Sequence, residues 1–304
     1  MASLQNEPLD DGRTTAADAR LATLAVILGA IAVGFSPILV RYSPLEPTAT
    51  AVHRALLAVP LLALGFLFRG RVEKRRPAGR KAWALLIFAG LLFAGDLATW
   101  HWSIRLTTVA NATLFANMAP VVVAIGAWLL FRERPGPGYY LGLALAVGGT
   151  LLLLGDGFGL GGERLLGDLL GLLTALWFGA YLLAVKALRG VFSATTLMFW
   201  SSFVTGLALI PVALLSGEAL LPAGTDGWIT LITLAWLAQA IGQGLIAWGF
   251  GHLPVGLSSL IILIEPLTAA ILGALLLGEF LGPYESVGAA LVLAGILVAR
   301  RERV

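Results

Sequence analysis

The chain contains no cysteine, and its 304 residues include only three histidines and three methionines. Without cysteine there are no disulfides, thiolate metal sites or cysteine nucleophiles. His53, His101 and His252 fall in separate apolar runs or loops and lack zinc-ligand spacing, so no metal is expected. Charge is equally scarce. Only 12% of residues are Asp, Glu, Lys or Arg, about half the share typical of soluble domains. Also missing are a P-loop lysine motif and a nucleophile elbow, which argues against an ATPase or a serine hydrolase within the chain. The run Gly157-Phe158-Gly159-Leu160-Gly161-Gly162 does match GxGxxG. It joins two apolar runs and follows no strand, so the dinucleotide reading lacks its required context. No cofactor and no enzymatic activity are expected.

What is present is apolar sequence. Hydrophobic residues make up 59% of the chain and the mean hydropathy is +0.91. A helix needs roughly 20 apolar residues to cross the hydrocarbon core. Runs of that length, separated by charge or Gly/Pro punctuation, lie at 21–41, 48–68, 82–105, 107–131, 137–154, 165–188, 194–216, 227–250, 255–278 and 282–299. Their continuity predicts helices rather than a barrel of alternating strands. The expected fold is therefore all-α and integral to the membrane, with ten transmembrane helices. Residues 1–20 are polar and lack the basic start and cleavage site of a secretory signal, so the run from Leu21 is expected to stay as the first helix.

The basic residues test that count. With the N-terminus inside, seven positive charges fall in the connection 69–81 alone. Arg13, Arg20, Arg132, Arg134, Lys186, Arg189, Arg300, Arg301 and Arg303 share that side, whereas the outside holds only Arg41, Arg105 and Arg164. This asymmetry predicts cytoplasmic termini in an inner (plasma) membrane. It also accounts for the pI near 9.5 without any nucleic-acid partner.

An internal repeat is legible. A shift of 146 positions aligns Trp102 with Trp248, Pro120 with Pro266, Glu133 with Glu279, Gly136-Pro137 with Gly282-Pro283, Gly142 with Gly288 and Gly149 with Gly295. Ala and Leu matches mean little in this composition, but these residues keep one spacing throughout. Pro120 and Pro266 sit within spans, where each removes a backbone donor and favours a kink or break. Gly142 and Gly149, like their counterparts, are seven apart on one helical face and permit close approach. Five helices per copy is an odd number, so the copies are expected to insert with opposite orientation. That is the inverted-repeat plan of secondary transporters, with the substrate site at the repeat interface. The expected organisation is a cytoplasmic tail (1–20), a first repeat (21–154, helices 1–5), a second repeat (165–299, helices 6–10) and a short cytoplasmic tail (300–304).

The doubled pattern Pro120, Glu133, Gly142, Gly149 and Pro266, Glu279, Gly288, Gly295 resembles the EamA-type domain of the drug/metabolite transporter superfamily. Arg54 and the Trp177-Phe178-Gly179 stretch also resemble positions of that domain. The likeness extends over nearly the whole chain. Within the superfamily the chain most resembles the YddG-like exporters of aromatic amino acids and related metabolites. It departs in Ala32-Val33-Gly34-Phe35, which lacks the Trp that often precedes the glycine. The resemblance implies helices around a central cavity, with repeat or hinge positions at Pro120, Pro266, Glu133 and Glu279, and export of small metabolites.

Polar groups within spans are costly unless they face protein or a wet cavity. The candidates for a substrate cavity are His53, Arg54, Asp96, Trp100, His101, Asn117, Trp177, Tyr181, Trp236, Gln239, Gln243 and Glu265. Gln239 and Gln243 are four apart and share a helical face, with Trp236 three positions earlier. Arg54 can serve the cavity or pair with Asp96. Glu265, beside Pro266, suits binding or proton coupling. Amides, aromatics and few charges together suit a zwitterion such as an aromatic or neutral amino acid. The alternative for each is structural: polar groups bonded to neighbouring helices, and tryptophans in the interfacial belt. An intramembrane enzyme would show clustered carboxylates or histidines near one face. A channel would show a ring-forming filter in an oligomer. A phosphate-bearing substrate would call for several intramembrane Lys or Arg, and only Arg54 is available. The expected partners are thus a small-molecule substrate and the bilayer, with the protein functional as a monomer.

Overall fold

A computed structural model describes residues 16–68, 79–107, 112, 115–133, 135–153, 163–277 and 282–301. Glu279, the basic stretch 69–78 and the GxGxxG run 157–162 lie outside the described residues. Among those described, every regular element is helical. The elements are α1 Ala16–Gly34, α2 Ser36–Arg41, α3 Pro47–Leu56, α4 Ala58–Phe68, α5 Gly79–Leu106, α6 Ala119–Gly126 and α7 Pro137–Leu153. The second half holds α8 Glu163–Arg189, α9 Ala194–Leu215, α10 Gly224–Thr233, α11 Gln243–Phe250, α12 Val255–Ile261, α13 Ile264–Leu277 and α14 Pro283–Arg301. Wider π turns follow α6 at Ala127–Phe131 and join α10 to α11 at Leu234–Gly242.

Several of these elements are segments of single spans. Asp18–Arg41, Pro47–Gly65, Gly79–Leu106, Leu165–Arg189, Ala194–Leu215, Gly224–Phe250 and Val255–Leu276 are each long and apolar enough to cross a membrane. Ala119–Phe131, Pro137–Leu152 and Ser286–Ala299 are shorter apolar helices. The interruptions follow from proline chemistry. Pro37, Pro60, Pro120 and Pro266 cannot donate to the carbonyl four residues back, so the α-helical ladder lapses just ahead of each. Turns occur at Phe35, at Leu57, at Asn117-Met118 and at Ile262-Leu263.

The distribution of polarity is that of a protein whose solvent is lipid. Leu215, Leu275 and Leu130 are 90%, 76% and 67% exposed, while Gln239 and Arg54 are 0% and 3% exposed. In water such an apolar surface would drive association; in hydrocarbon it is the favourable outer face. The chain is accordingly a multi-pass membrane protein.

Helices meet through small residues, since lipid offers little hydrophobic drive for them to associate. The most intimate pair is α7 with α14. A Cβ on Gly142 would lie 2.5 Å from the Gly295 carbonyl oxygen, and one on Gly149 would lie 2.6 Å from that of Gly288. As the number rises along α7 it falls along α14, so the two helices run antiparallel. A second pair of contacts brackets the bundle centre. Gly34 of α1 lies against Thr268 and the Glu265 carbonyl of α13, and Gly179 of α8 lies against Val122 and the Ala119 carbonyl of α6.

Candidate functional site

Between these helices is a cavity built from α1, α3, α5, the segment just ahead of α6, α8, α11 and α13. Arg54, Asp96, Trp100, Asn117, Gln243 and Glu265 supply its polar and aromatic wall. Val33, Leu97, Ala116, Thr174 and Phe178 complete it. Its volume is about 40 Å³, where one water takes roughly 10–15 Å³ on the same measure. The space holds a few waters and is smaller than an amino acid.

Local structure explains how each group arrives there. Asn117 occupies the unwound turn ahead of Pro120. Glu265 sits in the first turn of α13, directly after the break at Ile262-Leu263, with its backbone held against Gly34. Gln243 opens α11 where the π segment ends. Glycines thus bring the backbones close, and proline-induced breaks turn polar side chains inward.

Arg54 organises the polar wall. Its Nη1 donates to Ser36 Oγ at 2.8 Å and its Nε to Gln239 Oε1 at 3.3 Å. Gln239 Nε2 in turn donates to Ser202 Oγ at 3.1 Å. The guanidinium carbon lies 5.9 Å from the Trp100 ring centroid, within cation–π range. Asp96 and Glu265 both lie within the electrostatic reach of Arg54. Neither makes a salt bridge with it, so Arg54 is tethered by neutral groups while the carboxylates face the cavity.

The structure gathers Arg54, Asp96, Trp100, Asn117, Gln243 and Glu265 from among the sequence candidates, and places the others elsewhere. Gln239 is fully buried one layer behind, bonded to Arg54. His53 is half-buried, its Nδ1 2.9 Å from the Ala49 carbonyl and its ring edge-on to Trp228. His101 is buried edge-on to Trp100, with Nδ1 2.7 Å from the Leu97 carbonyl. Trp177 packs its indole on Gly95 of α5. Tyr181 is buried, stacked on Phe93 at 4.6 Å with its hydroxyl 3.5 Å from Met198 sulfur. Trp236 is 46% exposed on the outer face, donating Nε1 to the Leu57 carbonyl at 3.1 Å. It belongs to the π segment, whose wider turn rotates positions three apart further from one another than an α-helix does. Pro120 and Pro266 are buried at the starts of α6 and α13. Glu133 Oε1 lies 3.5 Å from the Val255 amide at the N-terminus of α12.

Sequence reasoning missed Thr174 and Phe178. They are four apart on α8, as Trp177 and Tyr181 are, but on the adjacent helical face. The signal was the mid-span hydroxyl: Thr174 Oγ1 lies 2.8 Å from Thr99 Oγ1 of α5. A polar residue there marks the inward face better than the larger aromatic does.

Comparisons with known proteins agree with this architecture. The model of the EamA-like transporter family matches residues 20–155 and again 165–301. An uncharacterized transporter of Archaeoglobus fulgidus is 28% identical over 283 residues, covering 93% of this chain and 97% of its own. The uncharacterized transporter YwfM of Bacillus subtilis is 28% identical over 224 residues, covering 71% and 73%. The uncharacterized protein PA1977 of Pseudomonas aeruginosa is 33% identical over 235 residues, covering 73% and 75%. A protein solved by crystallography shares the fold with a TM-score of 0.76 at 20% identity, covering 94% of this chain and 97% of that one. With two matches that together span nearly its whole length, the chain belongs to the EamA-like transporter family.

Proposed function

We propose that the protein is a secondary transporter that exports small metabolites, foremost aromatic or neutral amino acids, by alternating access. It works as a monomer in the inner membrane, with both termini cytoplasmic and ten helices in two inverted repeats. The observation that carries this reading is the cavity itself, a polar pocket inside an apolar bundle, drawn from both halves of the chain. The repeat reading is supported by contacts that recur at the repeat spacing. Ala119 and Val122, which face Gly179, stand 146 positions before Glu265 and Thr268, which face Gly34. The antiparallel contacts of α7 and α14 also exchange under the same shift, as a two-fold relation between copies requires. Among the described residues, three shorter apolar helices stand beside the seven long spans, which supports a count of ten. The small volume fits one state of an alternating cycle.

The test is uptake of radiolabelled amino acids into proteoliposomes by wild type and by Gln243→Ala, Phe178→Ala and Glu265→Gln. Saturable uptake of aromatic or neutral amino acids, lost in variants that still fold, is the expected result. No uptake across a broad amino-acid panel by folded wild type would overturn the amino-acid assignment and direct the search to other metabolites.

A further inference from the structure

The cavity contains one fixed positive group and two carboxyl groups. Arg54 can balance only one negative charge. Two of its five N–H donors go to Ser36 and Gln239, and its guanidinium carbon lies 5.9 Å from the Trp100 ring centroid. Asp96 is only 7% exposed and lines the cavity, yet its carboxylate has no hydrogen bond and no ion pair among the described residues. The Glu265 carboxylate, on a half-buried residue, also lines the cavity and has no hydrogen bond or ion pair among the described residues. A buried carboxylate without a donor is costly, and an ammonium supplies three donors and the missing positive charge. A substrate carboxylate, in contrast, would enter a site that already holds two carboxyl groups to one guanidinium. Trp100 and Phe178 provide the apolar and π surface for an aromatic body beside the charge.

We propose that this site recognises its substrate by the ammonium group, through Asp96 and Glu265, and that a substrate carboxylate contributes nothing to binding. The accepted class is therefore arylalkylamines, taken as well as or better than the matching amino acids. This rests on the reading of the cavity as the transport site. It deepens that reading by naming the group that is read.

The test is calorimetric titration of purified, full-length protein with tryptamine, tryptophan and indolepropionate, run beside proteoliposome uptake of the first two. Tryptamine is expected to bind at least as tightly as tryptophan, and indolepropionate not to bind. A hydrogen bond to a charged group is worth about 1.5–3 kcal/mol, so the near-isosteric Asp96→Asn should weaken tryptamine roughly 10- to 100-fold. If tryptophan binds and is transported while tryptamine is at least tenfold weaker, the ammonium proposal fails and the transporter reading stands. Binding of indolepropionate as tight as that of tryptamine overturns it equally. If tryptamine binds and is transported and tryptophan does neither, the proposal holds and tryptophan drops out as a substrate. If no ligand binds and none is transported, the ammonium proposal fails, and the broad amino-acid panel decides the amino-acid assignment separately. The wild-type ligand series decides the matter even if the variant does not fold.

Discussion

Gly148 and Gly149 are adjacent in α7, share one backbone conformation, and should respond in opposite ways to the same added methyl. A Cβ on Gly148 meets nothing within 4 Å. There the substitution to Ala removes only the entropic liability of glycine in a helix interior, a gain of about 0.5–1 kcal/mol. A Cβ on Gly149 would lie 2.6 Å from the Gly288 carbonyl oxygen and 2.7 Å from the Val292 amide nitrogen. Both are backbone atoms, so no side chain can swing aside and α14 itself must move. Overpacking of this kind costs about 1–3 kcal/mol, which outweighs the propensity gain. Gly142→Ala and Gly295→Ala act at a shared crossing, each Cβ meeting the other's carbonyl at 2.5 Å. Once one methyl has pushed the helices apart, the second adds less, so the double variant should be less destabilised than the sum by about 0.5 kcal/mol or more. The assay is reversible unfolding of purified protein in mixed micelles, with each alanine variant measured against wild type. Equal effects at 148 and 149, or a stabilising Gly149→Ala, would refute the close-crossing argument for α7 and α14.

Three further outcomes follow from the site. Arg54→Met should lower stability or abolish folded expression, because it takes the donors from Ser36 and Gln239 and leaves two interior carboxyl groups without their positive neighbour; normal yield and stability would show that Arg54 does not balance them. Phe178→Ala should weaken substrate binding and also lower stability through lost packing on Tyr181, whereas Trp177→Ala should lower stability through lost packing on Gly95 and leave binding by the folded variant near wild type; titration and unfolding of both variants check the split, and binding weakened by Trp177→Ala but not by Phe178→Ala would refute the helical phase assigned to α8. Trp236→Phe removes one hydrogen bond to the Leu57 carbonyl on the outer face, so transport should stay near wild type and stability should fall by no more than about 1.5 kcal/mol; loss of substrate affinity in the folded variant would place Trp236 in the site after all.

Composition and spacing alone were enough for the class of molecule. An apolar content of 59% with 12% charge leaves too little polar surface for a soluble domain, and continuous apolar runs of about 20 residues in lipid form helices rather than barrel strands. The paired prolines and glycines were equally legible, because Pro and Gly act on the backbone locally: the α-helical ladder lapses ahead of Pro120 and Pro266, although it continues through Pro211 of α9. The cost of intramembrane polarity also pointed to Arg54, Asp96, Asn117, Gln243 and Glu265 as inward groups, since an unpartnered polar side chain in hydrocarbon is expensive regardless of fold.

Tertiary structure decided which polar groups meet and which face each helix presents. Helical periodicity ties Trp177 to Tyr181 and Thr174 to Phe178, yet says nothing of which pair faces the cavity. That is settled by Gly95 of α5, whose missing side chain draws the indole of Trp177 onto it and leaves Phe178 to the cavity. The π turn at Leu234–Gly242 rotates Trp236 to the lipid face while keeping Gln239 and Gln243 inside, a shift that α-helical spacing does not reveal. The link from Arg54 to Gln239, 185 residues apart, exists only because the two halves of the chain pack together. Local chemistry sets which side chains must avoid lipid; the packing of helix on helix determines where they find their partners.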